Sequence, residues 1–262
     1  MAVAPIYVEG PVIVEQKYGL LDTIKPKPGS PHIGLGAIYE SEFCGPARAF
    51  EAPCVEDPDP KVADDGITVV EGEPIPIYHL FQCRMVGSVS TAEERARRSL
   101  DLGASRAVET GFQTVFADGS TDITPGGTAV DVVEGLALLE EYSGEVYGAR
   151  PVIHTTRANA TRLMSRGVLF RAGDHLETGL GSLVVAGSGY GGLSQPSAPA
   201  AGAGWMYATG AVSIWESDTI ITEVVQKVPF ANEFNALAER IYTPMYECFN
   251  AAVEITEKAC CP

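Results

Sequence analysis

Proline is concentrated at the start of the chain, and this limits what the first 80 residues can form. Eleven of the 18 prolines fall within residues 1–80. Because proline lacks the amide hydrogen that a helix interior needs, no long helix can pass through this region. We predict an extended N-terminal arm over residues 1–45 and an acidic extended loop over residues 46–80. The runs GITVVEG (66–72) and PIPIYHLFQC (74–83) are predicted strands.

The strongest helical pattern lies between Ser90 and Phe116. Ser90 and Glu93 have capping-box spacing, in which each side chain satisfies an amide at the helix start. Apolar residues then recur at three- and four-residue steps: Ala96, Leu100, Ala104, Ala107, Val108, Phe112, Val115 and Phe116. The polar face carries Arg95, Arg97, Arg98, Arg106 and Glu109. The pattern predicts an amphipathic helix of roughly 40 Å at 1.5 Å per residue.

Helices and strands alternate in the next part of the chain. Thr128 and Asp131 can cap a second helix that continues to about Tyr142 and stops at Gly144. PVIHT (151–155) is a predicted buried strand, TRANATRLMSRG a helix, and SLVVAGSGYGG a strand that ends in a glycine turn. We therefore predict a mixed α/β (α+β) fold.

The C-terminal part is predicted to contain strands. WMYATGAVSIWES and DTIITEVVQKV are typical of two strands joined near Ser217 and Asp218, and a hairpin is the simplest connection. FNALAERIYTPMYECFNAAVEI combines a short strand or helical turn with a final strand, because Pro244 would interrupt a helix.

Charge and cysteine content exclude several classes of function. The formal net charge is -16, which argues against a broad basic groove for nucleic acid. No run reaches the ~20 apolar residues of a membrane span, and the N-terminus MAVAPIYVEG lacks the basic and apolar segments of a signal peptide, so we expect cytoplasmic synthesis and no membrane partner. The six cysteines are irregularly spaced and lack a CxxC pattern, so we predict reduced thiols and no metal site.

Two motifs invite an enzymatic interpretation. Gly187, Gly189 and Gly192 match a dinucleotide fingerprint, but the prolines of LSQPSAPAAGAG (193–204) prevent the helix that such a site requires. His154 follows a predicted strand, and a hydrolase using His154 with Cys83, or with Asp174 nearby, remains an alternative. No GxSxG elbow or Walker loop is present. We predict no catalytic, cofactor-binding or metal residue, and no enzyme.

The order of elements resembles the Hong Kong 97-type capsid fold of tailed bacteriophages, especially proteins of actinobacterial phages. The resemblance covers roughly residues 76–258 and is carried by ARRSLDLGASRAVETGF (96–112), TAVDVVEGLALLEEY (128–142), RPVIHTTRANATRLMSRG (150–167) and LGSLVVAGSGYGG (180–192). It implies a peripheral domain with a spine helix over 81–149, an axial domain over 150–204, and closing strands of both domains over 205–262.

The same resemblance implies a major capsid protein that forms pentamers and hexamers around double-stranded DNA, which is held by containment. The expected location is the virion capsid, and cement, portal or scaffolding proteins are further candidate partners. An encapsulin-like nanocompartment shell is an alternative with the same fold. Apolar residues such as Val12, Ile13 and Val14 lie among the prolines of the arm, so we expect residues 1–30 to order against neighbouring subunits.

Overall fold

The computed structural model describes residues 11–30, 32–41, 44, 68–83, 89–191, 196–224 and 234–256. The helices in these ranges are α1 (Leu20–Thr23), α2 (Val89–Ala117), α3 (Val132–Val146) and α4 (Arg157–Ser165). The strands are β1 (Lys27–Pro28), β2 (Ala37–Ser41), β3 (Thr68–Gly72), β4 (Ile75–Cys83), β5 (Thr121–Asp122), β6 (Val152–Thr156), β7 (Leu169–Ala172), β8 (His175–Thr178), β9 (Leu183–Gly187), β10 (Ala203–Thr209), β11 (Val212–Glu216), β12 (Ile220–Val224), β13 (Phe234–Tyr246) and β14 (Asn250–Thr256). None of the described helices combines the length and apolar character that a bilayer span demands.

The long helix α2 confirms the predicted spine helix. Six of the eight predicted apolar positions are at most 3% exposed: Ala96, Leu100, Ala104, Val108, Phe112 and Phe116. Ala107 is exposed instead, and Glu109 is buried rather than on the polar face. The predicted second helix is also confirmed as α3, where the Asp131 carboxylate accepts a hydrogen bond from the Val133 amide at 3.0 Å. Gly144 lies inside α3 and does not end it.

A seven-stranded sheet with the order β5-β14-β10-β6-β9-β8-β7 is buried on both faces. One face packs with α2 and carries Val152, Val185, Tyr207 and Ala252. The other face packs against α3 and α4 and carries Ile153, Val184, Met206 and Val253. Because both faces are covered, successive residues of the central strands are buried and most of them are apolar, which explains the apolar runs seen in the sequence.

A five-stranded sheet is built around β13. β11 and β12 pair with successive parts of one edge of β13, and β4 pairs with its other edge. β1 extends the sheet by pairing in parallel with β11. One face packs against α2 through Ile77, Ala236 and Ala238. The helix therefore contacts both sheets, since Phe112 and Phe116 on its C-terminal half contact the ring of His154 in β6.

The predicted hairpin between WMYATGAVSIWES and DTIITEVVQKV does not form. The run WMYATGAVSIWES divides at Gly210 into β10 and β11, which belong to different sheets. β11 and β12 both pair with β13 and not with each other. A Cβ at Gly210 would collide with the carbonyl oxygen of Glu247, and the Gly210 amide donates to the Phe249 carbonyl at 3.3 Å. Glycine is therefore required where the chain crosses between sheets.

Two further elements differ from expectation. β13 is a single 13-residue strand that continues through Pro244, where a short strand or helical turn was predicted. The β7–β8 hairpin, which forms the edge of the seven-stranded sheet, was not predicted. Its turn contains Gly173 with φ +68°.

The N-terminal arm is partly incorporated into the subunit. The side chain of Leu20 in α1 is fully buried in the cluster around α2, and the carbonyl of Tyr18 accepts a hydrogen bond from the Ala186 amide at 2.8 Å. The expectation that residues 1–30 order only against neighbours is therefore wrong for residues 18–23. Val12, Ile13 and Val14 are exposed, and residues 1–10 lie outside the described part of the chain.

The strands β2 and β3 form an antiparallel ribbon, which we call the β2–β3 ribbon. Its inner end, at Ala37 and Gly72, packs close to β13, since a Cβ at Gly72 would overlap the side chain of Met245. Halfway along the ribbon, the Tyr39 hydroxyl donates a hydrogen bond to the Tyr246 carbonyl. The ribbon thus contacts the subunit at its inner end and at its midpoint, and its outer end is at Ser41, whose side chain is buried.

Candidate functional site

His154 lies in the core between the spine helix and the seven-stranded sheet. Its ring is fully buried and stacks on Phe116 with 4.6 Å between centroids. Nδ1 lies 3.1 Å from the Tyr190 hydroxyl and Nε2 lies 2.9 Å from the Thr209 hydroxyl. Burial lowers the pKa of His154 to about 3, so the ring is neutral. A neutral imidazole offers one donor and one acceptor, and the two hydroxyls satisfy both.

This geometry does not support a hydrolase that uses Cys83 and His154. Both ring nitrogens are already bonded to hydroxyl groups, whereas a catalytic base must reach its nucleophile within about 3 Å. Cys83 ends β4 in the other sheet, where its backbone pairs with Phe234. Asp174 lies 3.1 Å from His175 in an exposed turn. The three residues therefore belong to separate local environments, and His154 is a structural residue.

A buried carboxylate joins three segments beside the spine helix. Glu109 is 1% exposed, and its Oε1 accepts hydrogen bonds from the Leu20 amide and the Ser105 hydroxyl, both at 2.9 Å. Its Oε2 accepts a hydrogen bond from the Gly189 amide at 2.8 Å. Hydrogen bonds to a charged acceptor are stronger than neutral ones. This set of contacts, which we call the Glu109 clasp, connects α1, α2 and the turn after β9.

The glycines of the dinucleotide-like motif belong to this clasp. A Cβ at Gly189 would lie 2.5 Å from the carbonyl oxygen of Arg106 and 2.8 Å from the amide nitrogen of Thr110 in α2. A Cβ at Gly187 would lie 2.6 Å from the ring of Tyr190. Residues 188–190 form bends and residue 191 is irregular, so these four residues do not begin a helix whose N-terminus could hold a pyrophosphate. Gly192 lies outside the described residues.

The prediction of six reduced thiols is wrong for two of the cysteines. Cys44 and Cys248 form a disulfide across a sequence separation of 204, with 4.8 Å between their Cα atoms. Spacing could not reveal this pair because the two segments meet only in the folded chain. Cys54, Cys260, Cys261 and the side chain of Cys83 are not described. Within the described ranges, no group of three or more His, Cys, Asp or Glu residues is arranged to hold a metal ion.

The free face of the five-stranded sheet is a candidate binding surface. It exposes Tyr78, Leu80 and Ile220, which are 72%, 50% and 60% accessible. The strand register aligns Tyr78 and Ile220 on either side of Glu239, and it places Leu80 beside the partly buried Leu237. An apolar sheet face of this kind is expected to contact another surface. We call it the open sheet face.

Other exposed apolar side chains lie on projecting segments. Ile38 and Val69 are exposed on the β2–β3 ribbon, and Val12 and Val14 are exposed in the N-terminal arm. Phe170 on β7 and Leu180 in the turn between β8 and β9 are exposed beside Leu136 of α3. These exposed apolar side chains are further candidates for contact with other proteins.

Comparisons with known proteins identify the fold of the chain. No protein-family model matches the chain, and no curated protein matches it in sequence. A capsid structure of Ralstonia phage GP4 has a TM-score of 0.54 at 10% identity, covering 99% of this chain and 96% of that chain. The capsid of a native GTA particle has a TM-score of 0.54 at 13% identity, covering 97% and 95%. A chain of Mycobacterium phage Ogopogo has a TM-score of 0.52 at 11% identity, covering 97% of each chain.

The similarity extends over nearly the whole length of both chains, so it includes the spine helix, both sheets and the β2–β3 ribbon together. The low identity means that these relationships are carried by the arrangement of elements and not by particular residues. The chain therefore has the capsid fold of tailed bacteriophages, as its resemblance to the Hong Kong 97-type fold implied.

Proposed function

We propose that this chain is the structural shell protein of a tailed-phage capsid. In this proposal it assembles with its own copies into pentamers and hexamers that enclose double-stranded DNA, and it is not an enzyme. The observation that carries the proposal is the near end-to-end similarity to chains from phage and GTA capsids, in both directions of coverage.

The surface of the subunit supports self-association. The open sheet face, the β2–β3 ribbon and the N-terminal arm all expose apolar side chains in the single chain. At ~25 cal/mol per Å², burying a few hundred Å² of such surface against a neighbour is worth several kcal/mol before ordering costs. Repeated over many copies, a modest free energy per contact is sufficient to hold a closed shell.

The charge of the chain supports containment of DNA over direct gripping of its backbone. The net charge is -16, and counterion release requires many Lys and Arg contacts to phosphates. The encapsulin-like and hydrolase alternatives receive no support from the comparisons or from the environment of His154. The pentamer and hexamer arrangement, and any cement, portal or scaffolding partner, remain part of the proposal.

Electron microscopy of the full-length recombinant protein, combined with sedimentation, tests the proposal. We expect closed shells whose averaged images contain rings of five and six subunits. The variant Leu80→Asp should remain folded, because its side chain is half exposed, and should lower the yield of shells. Thr161→Asp, on an exposed position of α4, is the matched control and should assemble normally. A protein that stays monomeric over a wide range of concentration and salt would contradict the proposal.

A further inference from the structure

The disulfide lies where the outer end of the β2–β3 ribbon meets the body of the subunit. Cys44 follows Ser41, the last residue of β2, and Cys248 lies in the turn between β13 and β14. Cys44 is exposed to solvent, and Cys248 is partly buried. The bond therefore links the outer end of the ribbon to the crossing between the two sheets, and small molecules in solution can reach it through the exposed Cys44.

The β13–β14 turn, which carries Cys248, is also held by backbone hydrogen bonds. The amide of Glu247 donates to the Ala211 carbonyl at 3.0 Å, and the Phe249 amide donates to the Glu247 carbonyl at 2.7 Å. Cys248 itself adopts a left-handed conformation with φ +61°. A residue without a glycine's freedom takes this conformation when the surrounding backbone determines it. Cys248 is therefore kept in place whether or not its sulfur is bonded.

The position of Cys44, beyond the outer end of the β2–β3 ribbon, depends more on the disulfide. The inner end of the ribbon packs on β13 near Met245, and Tyr39 bonds to the Tyr246 carbonyl, but Cys44 lies beyond both attachments. The buried hydroxyl of Ser41 lies 3.0 Å from the Cys44 sulfur and 3.3 Å from the Cys248 sulfur. This hydroxyl can donate to either sulfur and can stabilise a thiolate there during exchange.

We propose that Cys44 and Cys248 form a redox-controlled clamp on the outer end of the β2–β3 ribbon. In a reducing compartment both residues are thiols, and the ribbon is held by its noncovalent contacts. In an oxidising solution the disulfide forms and fixes the outer end to the β13–β14 turn. The disulfide thus adds a covalent attachment at the outer end of a ribbon whose inner end and midpoint are held by noncovalent contacts.

The oxidant we name is a small-molecule disulfide such as oxidised glutathione. The thiolate of one cysteine attacks a glutathione sulfur, which breaks the glutathione disulfide, releases one glutathione and forms a mixed disulfide. The thiolate of the second cysteine then attacks the protein sulfur and displaces the second glutathione. Two protein thiols are oxidised, one glutathione disulfide is reduced to two glutathiones, and these carry the two protons.

Tryptic mapping tests the pairing, because the sequence separates the cysteines. Cleavage after Arg48 and Arg240, with Lys25 and Lys27 protected by the prolines that follow them, places Cys44 in peptide 18–48 and Cys248 in peptide 241–258. Cys54, Cys83, Cys260 and Cys261 fall in other peptides. After oxidation of the unassembled subunit with oxidised glutathione, we expect a linked peptide 18–48/241–258. It should disappear with reduced glutathione in excess and in Cys44→Ser, and it should persist in the control Cys260→Ser.

Hydrogen exchange tests the consequence for the ribbon. Amides of β2 and β3 should exchange roughly tenfold faster in the reduced subunit than in the oxidised subunit, while amides of β6 and β9 should not change. Cys44→Ser and Cys248→Ser should each exchange at the reduced rate under both conditions.

Three results would overturn the clamp: no linked peptide after oxidation, a linked peptide that persists in excess reduced glutathione, or equal exchange in both states. The measurements use single subunits, so failure of the clamp and failure of shell assembly are separate outcomes.

Discussion

Lowering the pH should destabilise the subunit through His154. The folded state keeps this imidazole neutral, because burial lowers its pKa to about 3 from the ordinary value of 6.5. In the unfolded chain the same group takes up a proton as the pH falls below about 6.5. The unfolded state therefore binds more protons between these two values, and the free energy of unfolding falls as the pH falls.

The size of the effect follows from the two pKa values. Each pH unit between them changes the free energy of unfolding by up to about 1.4 kcal/mol. Going from pH 7.5 to pH 5.0 crosses about 1.5 units of this window, so His154 should cost about 2 kcal/mol. That is a substantial part of the total stability of a typical domain, about 5–15 kcal/mol.

Urea unfolding of wild type and His154→Gln at both pH values isolates this contribution. The glutamine amide does not titrate in this range, and it can offer a donor and an acceptor to the hydroxyls of Tyr190 and Thr209. Carboxylates elsewhere affect both proteins equally and cancel in the comparison. The wild type should lose about 2 kcal/mol more than the variant. His32→Gln, at an exposed histidine, should behave as wild type.

Equal losses of stability in wild type and His154→Gln would refute the reasoning. It would mean that the folded state accepts a proton at His154 as readily as the unfolded chain does. The imidazole signal of His154 in nuclear magnetic resonance gives a second readout that does not depend on the variant. In the folded subunit that signal should not titrate between pH 8 and pH 5.

Three further changes follow from the packing. Gly189→Ala should lower the free energy of unfolding by ~1–3 kcal/mol in urea titrations, because its Cβ meets the α2 backbone. Gly191 has open space around it, so the control Gly191→Ala should change this free energy by less than ~0.5 kcal/mol. Leu100→Asp should cost several kcal/mol, and soluble, normally assembling Leu100→Asp protein would show that this helix face is not buried. Deletion of residues 1–16 should leave the thermal midpoint of the subunit nearly unchanged, because the buried Leu20 is kept. It should lower the yield of shells in sedimentation and microscopy, because the exposed Val12 and Val14 are removed. Full assembly of the truncated chain would contradict this role for the arm.

Much of the fold could be predicted because its signals are local. The apolar repeat of α2, the Asp131 cap of α3 and the apolar strands of β6 and β9 all depend on residues within a few positions of one another. The β7–β8 hairpin also had a local signal, since Gly173 and Asp174 separate LFRA from HLET as a two-residue turn would. The pairing of β11 and β12 with β13 had none, because an apolar strand does not reveal its partner.

The buried polar contacts could not be predicted for a related reason. Glu109 falls on the polar side of the α2 pattern, and its burial depends on amides of Leu20 and Gly189, which lie 89 and 80 positions away. The prolines after the glycine motif argue against dinucleotide binding, but the packing role of the motif could not be predicted, because it depends on a close approach to a helix backbone. The Cys44–Cys248 disulfide likewise depends on a tertiary contact.

The position of β14 in the seven-stranded sheet affects the order in which a nascent chain can mature. β14 lies between β5 and β10, and it supplies Val253 and Ile255 to the cluster beneath α3, where Gly135 approaches Ile255 closely. Until residues 250–256 have left the ribosome, β10 has one unpaired edge and α3 has no complete surface to pack on. In the proposed assembly, each copy must therefore be translated through β14 before it has a finished surface to offer another copy.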